Sequence, residues 1–350
     1  MATLMPDQLD DFVNLTLSNY KRREWVDIAL DLQEYTFANR FMKNRKKKKF
    51  DAGADYFKFK VQYRNLNTAR VSEMFAVDNP GLRDVSIEGK VPWTKQDFNW
   101  SYDVDEEFFQ TDREKIVDEL LMREHAAENG FWELMEEKLW SMPTSSSERP
   151  RPPFGVPYWI VKDSTTTPGG AFNGGNPSGF TSGAADIDSA TYTNYKNWTA
   201  GYSAVAQDDL IPKWEKACDF TKFLNPHKYP GAVAEGSDWA FFTTYTVLAA
   251  LRPLLRAQND NLGGDLSRYS SAMFRGNEVI WVPYLQANDS THPVYGINFN
   301  SFFYYVKKGR DMVRHAPKMA PHQHTVREVY TDHWGNFACM DRRRNFVISQ

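Results

Sequence analysis

Three histidines are the residues in this chain best placed for chemistry. His322, His324 and His333 lie close together in the sequence, with Asp332 beside the last of them. Two histidines one residue apart on a strand share a face, and imidazole nitrogens are ordinary zinc ligands. The trio is therefore a candidate metal site. Three features weigh against it: the cysteines are not nearby, there is no HExxH pair, and histidines cluster at strand ends by chance. The expectation is surface or interface histidines with no metal, and a metalloenzyme built on the trio is the alternative. Nucleophilic chemistry has less support. No GxSxG elbow occurs, and Cys218 and Cys339 stand far apart, outside any CxxC pair or recognisable catalytic neighbourhood. The glycine-rich stretch 169–179 lacks the Lys-Ser/Thr ending and following helix that a phosphate cradle needs, so it reads as a structural loop. Asp103, Asp105, Glu106 and Glu107 precede a helix and suit its positive end better than acid–base work. No catalytic, cofactor-binding or metal-binding residue is assigned, and the chain is not expected to be an enzyme.

Two basic clusters remain. Lys43-Asn44-Arg45-Lys46-Lys47-Lys48-Lys49 is the sharpest charge run in the chain. It reads as a solvated, mobile segment that repels itself, with contact to DNA, a scaffold or an acidic neighbour as the alternative. Asp341-Arg342-Arg343-Arg344 reads as an exposed turn with ion pairs to its neighbours, with DNA contact as the lesser reading.

The whole-chain balance agrees with this lack of chemistry. Its 350 residues are enough for two or three cores. Hydrophobic residues make up 41%, charged residues 25%, and the formal net charge is -3, which argues against a sequence-wide grip on nucleic acid. Aromatics are abundant, with 24 Phe, 17 Tyr and 11 Trp. Such side chains fill cores and the centres of protein interfaces. Two distant cysteines suit a reducing cytosol. The N-terminus has no apolar run of a signal peptide, and no stretch is apolar enough to span a membrane. The expected protein is soluble, intracellular and multi-domain.

The elements that must carry these residues alternate between helix and strand. Asp7 to Leu17 and Trp25 to Phe41 are periodic and read as helical pieces of an arm. Tyr56 to Tyr63, Val85 to Val91 and Phe98 to Tyr102 alternate with period two, and the turn signal Asn79-Pro80-Gly81 lies between the first two. That pattern predicts a long hairpin over 55–103, which needs another surface to lie on. Thr111 and Glu114 form a capping box ahead of an apolar stripe from Ile116 through Leu134 to Met142, ended by Pro143. The spacing predicts a helix over 111–142, about 45 Å long, in which Gly130 marks a bend. Residues 143–190 are loop-rich. Asp208 or Asp209 is expected to cap a helix through Phe220, and Trp239 to Leu255 reads as a second helix, interrupted at Pro253. Strands are expected at Glu278–Val282, Val294–Phe299, Phe302–Val306, Thr325–Tyr330, Trp334–Cys339 and Asn345–Ile348. The layout is α+β, with strands drawn from distant parts of the chain.

That order of elements resembles the major capsid proteins of tailed bacteriophages, with the Hong Kong-phage-type fold. The residues carrying the resemblance are the arm, the hairpin and the helix ending Phe131-Trp132-Glu133-Leu134-Met135-Glu136-Glu137-Lys138-Leu139-Trp140. They continue through Pro153-Phe154-Gly155-Val156-Pro157-Tyr158-Trp159, Gly174-Gly175-Asn176-Pro177-Ser178-Gly179-Phe180, Tyr195-Lys196-Asn197-Trp198 and Trp334-Gly335-Asn336-Phe337-Ala338-Cys339. The resemblance implies an N-terminal arm at 1–50, an extended β-hairpin loop at 51–104 and a peripheral domain at 105–200 with the spine helix 111–142. An axial domain at 201–310 and returning peripheral strands at 311–350 complete it. It implies a subunit that self-assembles into pentamers and hexamers of an icosahedral head shell around double-stranded DNA. The expected partners are other copies of itself, a separate scaffolding protein, a portal and decoration proteins, without membrane or cofactor. The expected location is the virion, after assembly in the host cytoplasm. Another virion component (portal, tail or decoration protein) is the nearest alternative.

Overall fold

The computed structural model describes residues 28–44, 47–66, 69–74, 83–106, 113–163, 168–222, 238–257 and 272–350. The first strands are β1 (Lys48–Asp51), β2 (Tyr56–Gln62), β3 (Ser86–Pro92) and β4 (Thr94–Asp103). The long helix α1 (Arg113–Leu139) and the short α2 (Val156–Trp159) follow. Next come β5 (Ala171–Gly174), β6 (Asn197–Gly201), α3 (Leu210–Phe220), β7 (Trp239–Thr243) and α4 (Tyr245–Ala257). After β8 (Ala272–Phe274), β9 (Asn277–Trp281) and α5 (Pro283–Asn288), the remainder is mostly strand. It comprises β10 (Val294–Asn298), β11 (Phe302–Lys307), β12 (Val313–Arg314), β13 (Lys318–Met319), β14 (Val326–Cys339) and β15 (Phe346–Ser349).

The strongest periodic stretch is α1. Its Leu120, Leu121, Phe131, Met135 and Leu139 are buried, while Leu134, expected in the same stripe, is exposed. The capping residue Thr111 lies outside the described residues. The helix stops short of Pro143, whose ring cannot continue it.

Two larger sheets flank this helix. In the six-stranded sheet, β14 is the common partner of β11, β12, β13 and β4, and β1 adds parallel to β11. Thr325–Tyr330 and Trp334–Cys339, expected as separate stretches, form one strand apart from Thr325, because β4 and β11 between them pair along its whole length. Phe98–Tyr102 belongs to β4, so the two-stranded hairpin is shorter than the expected 55–103 and consists of β2 paired with β3. The seven-stranded sheet runs β5-β6-β15-β10-β7-β9-β8, with β15 between β6 and β10. The expected break at 310 is not respected by pairing: β11 joins β14 in one sheet, whereas β15 joins β10 in the other.

Trp239–Thr243 corrects the helix expected over Trp239–Leu255. All its positions are buried in mid-sheet, and a continuous apolar run has no period to distinguish strand from helix. Only Tyr245–Ala257 is helical, and it continues past Pro253. Asp209 precedes α3 but makes no side-chain cap; its Oδ2 accepts the N–H groups of Ser203 and Ala204 instead. In the arm, the expected helix through Phe41 shrinks to a π-helical turn at Phe37–Met42 among the described residues. Asp7–Leu17 lies outside them.

Burial gathers in two large clusters and a small third one of Trp100, Tyr102, Leu120 and Val329. One core joins Phe37 and Phe41 of the arm to Phe131, Met135 and Trp140 and to Tyr304 and Phe337. The other gathers Trp198, Trp214, Phe241, Phe274 and Phe346 beneath α3 and α4. Burying each aromatic contributes about 1.5–3 kcal/mol.

Candidate assembly surface

The hairpin is held at its base. Alternation places Phe57 and Phe59 on one face of β2, and both are buried. Phe57 stacks on Tyr305 with centroids 4.5 Å apart and packs against Trp93 at 5.0 Å. Gly89 faces Phe59 across the pair, and a Cβ there would lie 2.7 Å from the ring, so only glycine lets Phe59 lie flat on β3. Lys90 N–H donates to the Ala185 carbonyl at 2.9 Å. Beyond this base the described residues supply no cover. Among the described residues β2 and β3 pair only with each other, and Leu66, Val71 and Met74 near the tip are 48%, 104% and 88% exposed. A lone two-stranded ribbon with bare apolar side chains is marginal in water. Apolar groups gathered on a surface mark contact with another protein.

The basic run does the opposite of what its charge suggests. Arg45 and Lys46 lie outside the described residues, but Lys47 is buried. Its ammonium donates to the Phe299 carbonyl and lies 3.1 Å from both Asn300 Oδ1 and Asp238 Oδ2. Lys48 pairs with Asp311 at 2.5 Å, and Lys49 sits 3.4 Å above the Phe303 ring. Burial pushes the Lys49 ammonium below its usual value, helped by the charge of Lys47. These lysines fasten β1 to the edge of the sheet and are not a free, self-repelling segment.

The histidines do not converge. His322 and His324 are exposed on a turn, not on a strand, and His322 has a positive φ of 66°. His333 is fully buried on β14, with Nε2 2.8 Å from the Tyr304 hydroxyl and Nδ1 3.4 Å from Asp311. No group of His, Cys, Asp or Glu able to hold a metal occurs among the described residues. Asp332 points elsewhere, pairing with His315 and Lys95, each at 3.0 Å. Both cysteines are buried, and burial pushes each thiol up to about 12, so neither is a thiolate near neutral pH.

The arginine cluster is also inverted. Arg342 and Arg344 are buried, and Arg343 folds back onto Asp341 at 3.1 Å. Arg342 donates through Nε to the Trp159 carbonyl at 2.7 Å and through Nη1 to the Tyr195 carbonyl at 3.1 Å. Its Nη2 reaches the carbonyls of Gly174 and Gly175 and Asn197 Oδ1. The glycine-rich loop is therefore held from within by a guanidinium. The exposed, ion-paired turn expected here holds for Arg343, whereas Arg342 and Arg344 turn inward and Arg342 becomes a buried strut.

No family model and no curated protein matches the chain. Solved structures do match it along nearly their whole length. The cyanophage A-1(L) capsid asymmetric unit aligns with a TM-score of 0.60 at 12% identity, covering 96% of this chain and 98% of that one. The capsid of the native GTA particle aligns at 0.54 and 12% identity, covering 95% of each. The capsid of Myoviridae phage XM1 aligns at 0.52 and 7% identity, covering 95% of this chain and 97% of that one.

The chain has the fold of these capsid subunits. The Hong Kong-phage-type α+β fold expected from the order of elements is present, at identities that leave the fold as the common property. Within it, sequence reading missed three features: the bare tip residues Leu66, Val71 and Met74, the strut Arg342, and a buried acid, Glu136. Glu136 carries a detectable signal, because a Glu among the apolar positions of an amphipathic helix breaks the stripe.

Proposed function

We propose that this chain is the major shell subunit of a tailed phage head, assembling as hexamers and pentamers into an icosahedral shell around double-stranded DNA. The observation that carries this reading is the end-to-end fold match, 96% of this chain on 98% of a capsid subunit. The exposed hairpin tip supports it physically. Surface that one copy leaves bare is covered by the next, and repeated heterologous contacts close into rings.

On this reading residues 1–50 are the arm, 51–104 the extended loop, 105–200 and 311–350 the peripheral domain, and 201–310 the axial domain, with β11 and β10 pairing across the limit at 310 to β14 and β15. The chain performs no catalysis. It contacts DNA without reading sequence, in keeping with a formal net charge of -3 and with Arg342 and Arg344 turned inward. Its partners are further copies of itself, a separate scaffolding protein, a portal and decoration proteins; it assembles in the host cytoplasm and ends in the virion.

Sedimentation velocity over a concentration series tests the assignment. A subunit of this kind shifts from monomer to species above a megadalton as concentration rises. A single sharp monomer at every concentration, with and without crowding agent, overturns it. A ring of fixed copy number with no larger species points instead to a portal-like component.

A further inference from the structure

One buried carboxylate hydrogen-bonds both the arm and the segment that ends α1, inside the core that the two share. Glu136 on α1 is 3% exposed, and no cation pairs with it among the described residues. Its oxygens are divided. Oε2 accepts the backbone N–H of Phe37, the first residue of the arm's π-helical turn, at 2.8 Å. Oε1 accepts the indole N–H of Trp140 at 2.9 Å.

Each donor leads to a different place. Phe37 plugs the arm into the first core, 5.0 Å from Tyr304, 5.8 Å from Phe337 and 6.0 Å from Trp132. Trp140, one helical turn beyond Glu136, lies just past the end of α1. Its ring packs at 5.0 Å on Phe242 of β7 and 6.2 Å from Tyr295 of β10, both in the seven-stranded sheet. Trp140 and Tyr295 also line a cavity of about 350 Å³ shared with Met142, Ile160 and Leu285, which leaves the indole room to shift.

A carboxylate buried without a cation is costly unless every lone pair finds a donor. Burial raises the Glu136 carboxyl above the usual carboxylate range, and donors from Phe37, Trp140 and Thr36, the last also in the arm, oppose that rise. If the arm lifts, Oε2 loses its donor in apolar surroundings. The side chain must then rotate or take up a proton, and either move disturbs the bond to Trp140.

We propose that Glu136 is a relay that couples the seating of the arm at Phe37 to the seating of Trp140 against β7 and β10. Releasing the arm then loosens the seven-stranded sheet, and unseating Trp140 loosens the arm. The relay is internal to one chain, so it stands or falls separately from the shell assignment.

Hydrogen exchange read by mass spectrometry on the full chain tests it, with Phe37→Ala, Trp140→Phe and the double variant. Trp140→Phe keeps a ring in place and deletes only the N–H. The expected result is faster exchange at 37–42 in Trp140→Phe and at 239–243 and 294–298 in Phe37→Ala, each on the order of tenfold. In the double variant the effects are less than multiplicative, and in a Glu136→Leu background they become independent. Exchange changes confined to each variant's own neighbourhood, or full multiplicativity with Glu136 present, overturn the relay. Because Phe37 and Trp140 share a core, the Glu136 background is what separates the relay from packing; should Glu136→Leu fail to fold, Glu136→Gln takes its place, and coupling unchanged in that background overturns the relay.

Discussion

Arg342 ties three separate stretches to the C-terminal segment through the carbonyl oxygens of Trp159, Tyr195, Gly174 and Gly175. Replacing it with Met keeps the length and strands those carbonyls, at a cost on the order of 3 kcal/mol in urea unfolding. Lys recovers little of this, because an ammonium cannot reproduce the fork. Two buried groups give the stability opposite pH slopes. Burial holds the His333 imidazole below its ordinary value despite the pull of Asp311, with Lys48 reinforcing the depression. The unfolded chain therefore takes up the proton first, and this group's share of stability falls as pH drops below about 6.5. Glu136 has the reverse sign: its folded carboxyl is raised, so its share is present below the ordinary carboxylate range and fades as pH rises through the raised value. Unfolding midpoints measured from pH 4 to 8 should lose the acid-side slope in His333→Gln and the opposing slope in Glu136→Gln. An unchanged profile in either variant refutes that assignment. Residue types alone left these roles illegible. Asp-Arg-Arg-Arg and Asp332-His333 look polar and exposed in one dimension, and only packing decides that Arg342 and His333 are inside.

Elements were easier to read where their period was clean. The alternation at Tyr56–Gln62 and the stripe of α1 survive in the fold, because one buried face imposes its period on sequence. Illegible were the partners: β4 and β14 are paired across more than two hundred positions, and β7 has no period at all. The hairpin gives the clearest element-scale prediction. Val71→Asp with Met74→Asp removes exposed apolar surface and should leave folding stability within about 0.5 kcal/mol. Assembly into large species should nevertheless be abolished, as read by sedimentation. Normal assembly would exclude the tip from the contacts. In α1, a Cβ at Gly130 meets nothing within 4 Å, so Gly130→Ala should stabilise the folded chain by up to about 1 kcal/mol in thermal unfolding. A loss of stability there would mean that the helix needs the bend glycine permits.

At the scale of the molecule, the order of elements was the most legible property and boundaries the least. Arm, hairpin, long helix, loop-rich stretch and returning strands follow each other as expected, while β11 and β15 cross the expected division at 310. Strand exchange between layers leaves no mark in local sequence. The central claim is that a chain with this fold builds a closed shell, and electron microscopy of the purified, concentrated chain tests it most directly. The account predicts curved sheets, capsomer rings or closed shells in the wild type and their absence in the hairpin-tip variant. Fields of uniform monomers from the wild-type chain would contradict it.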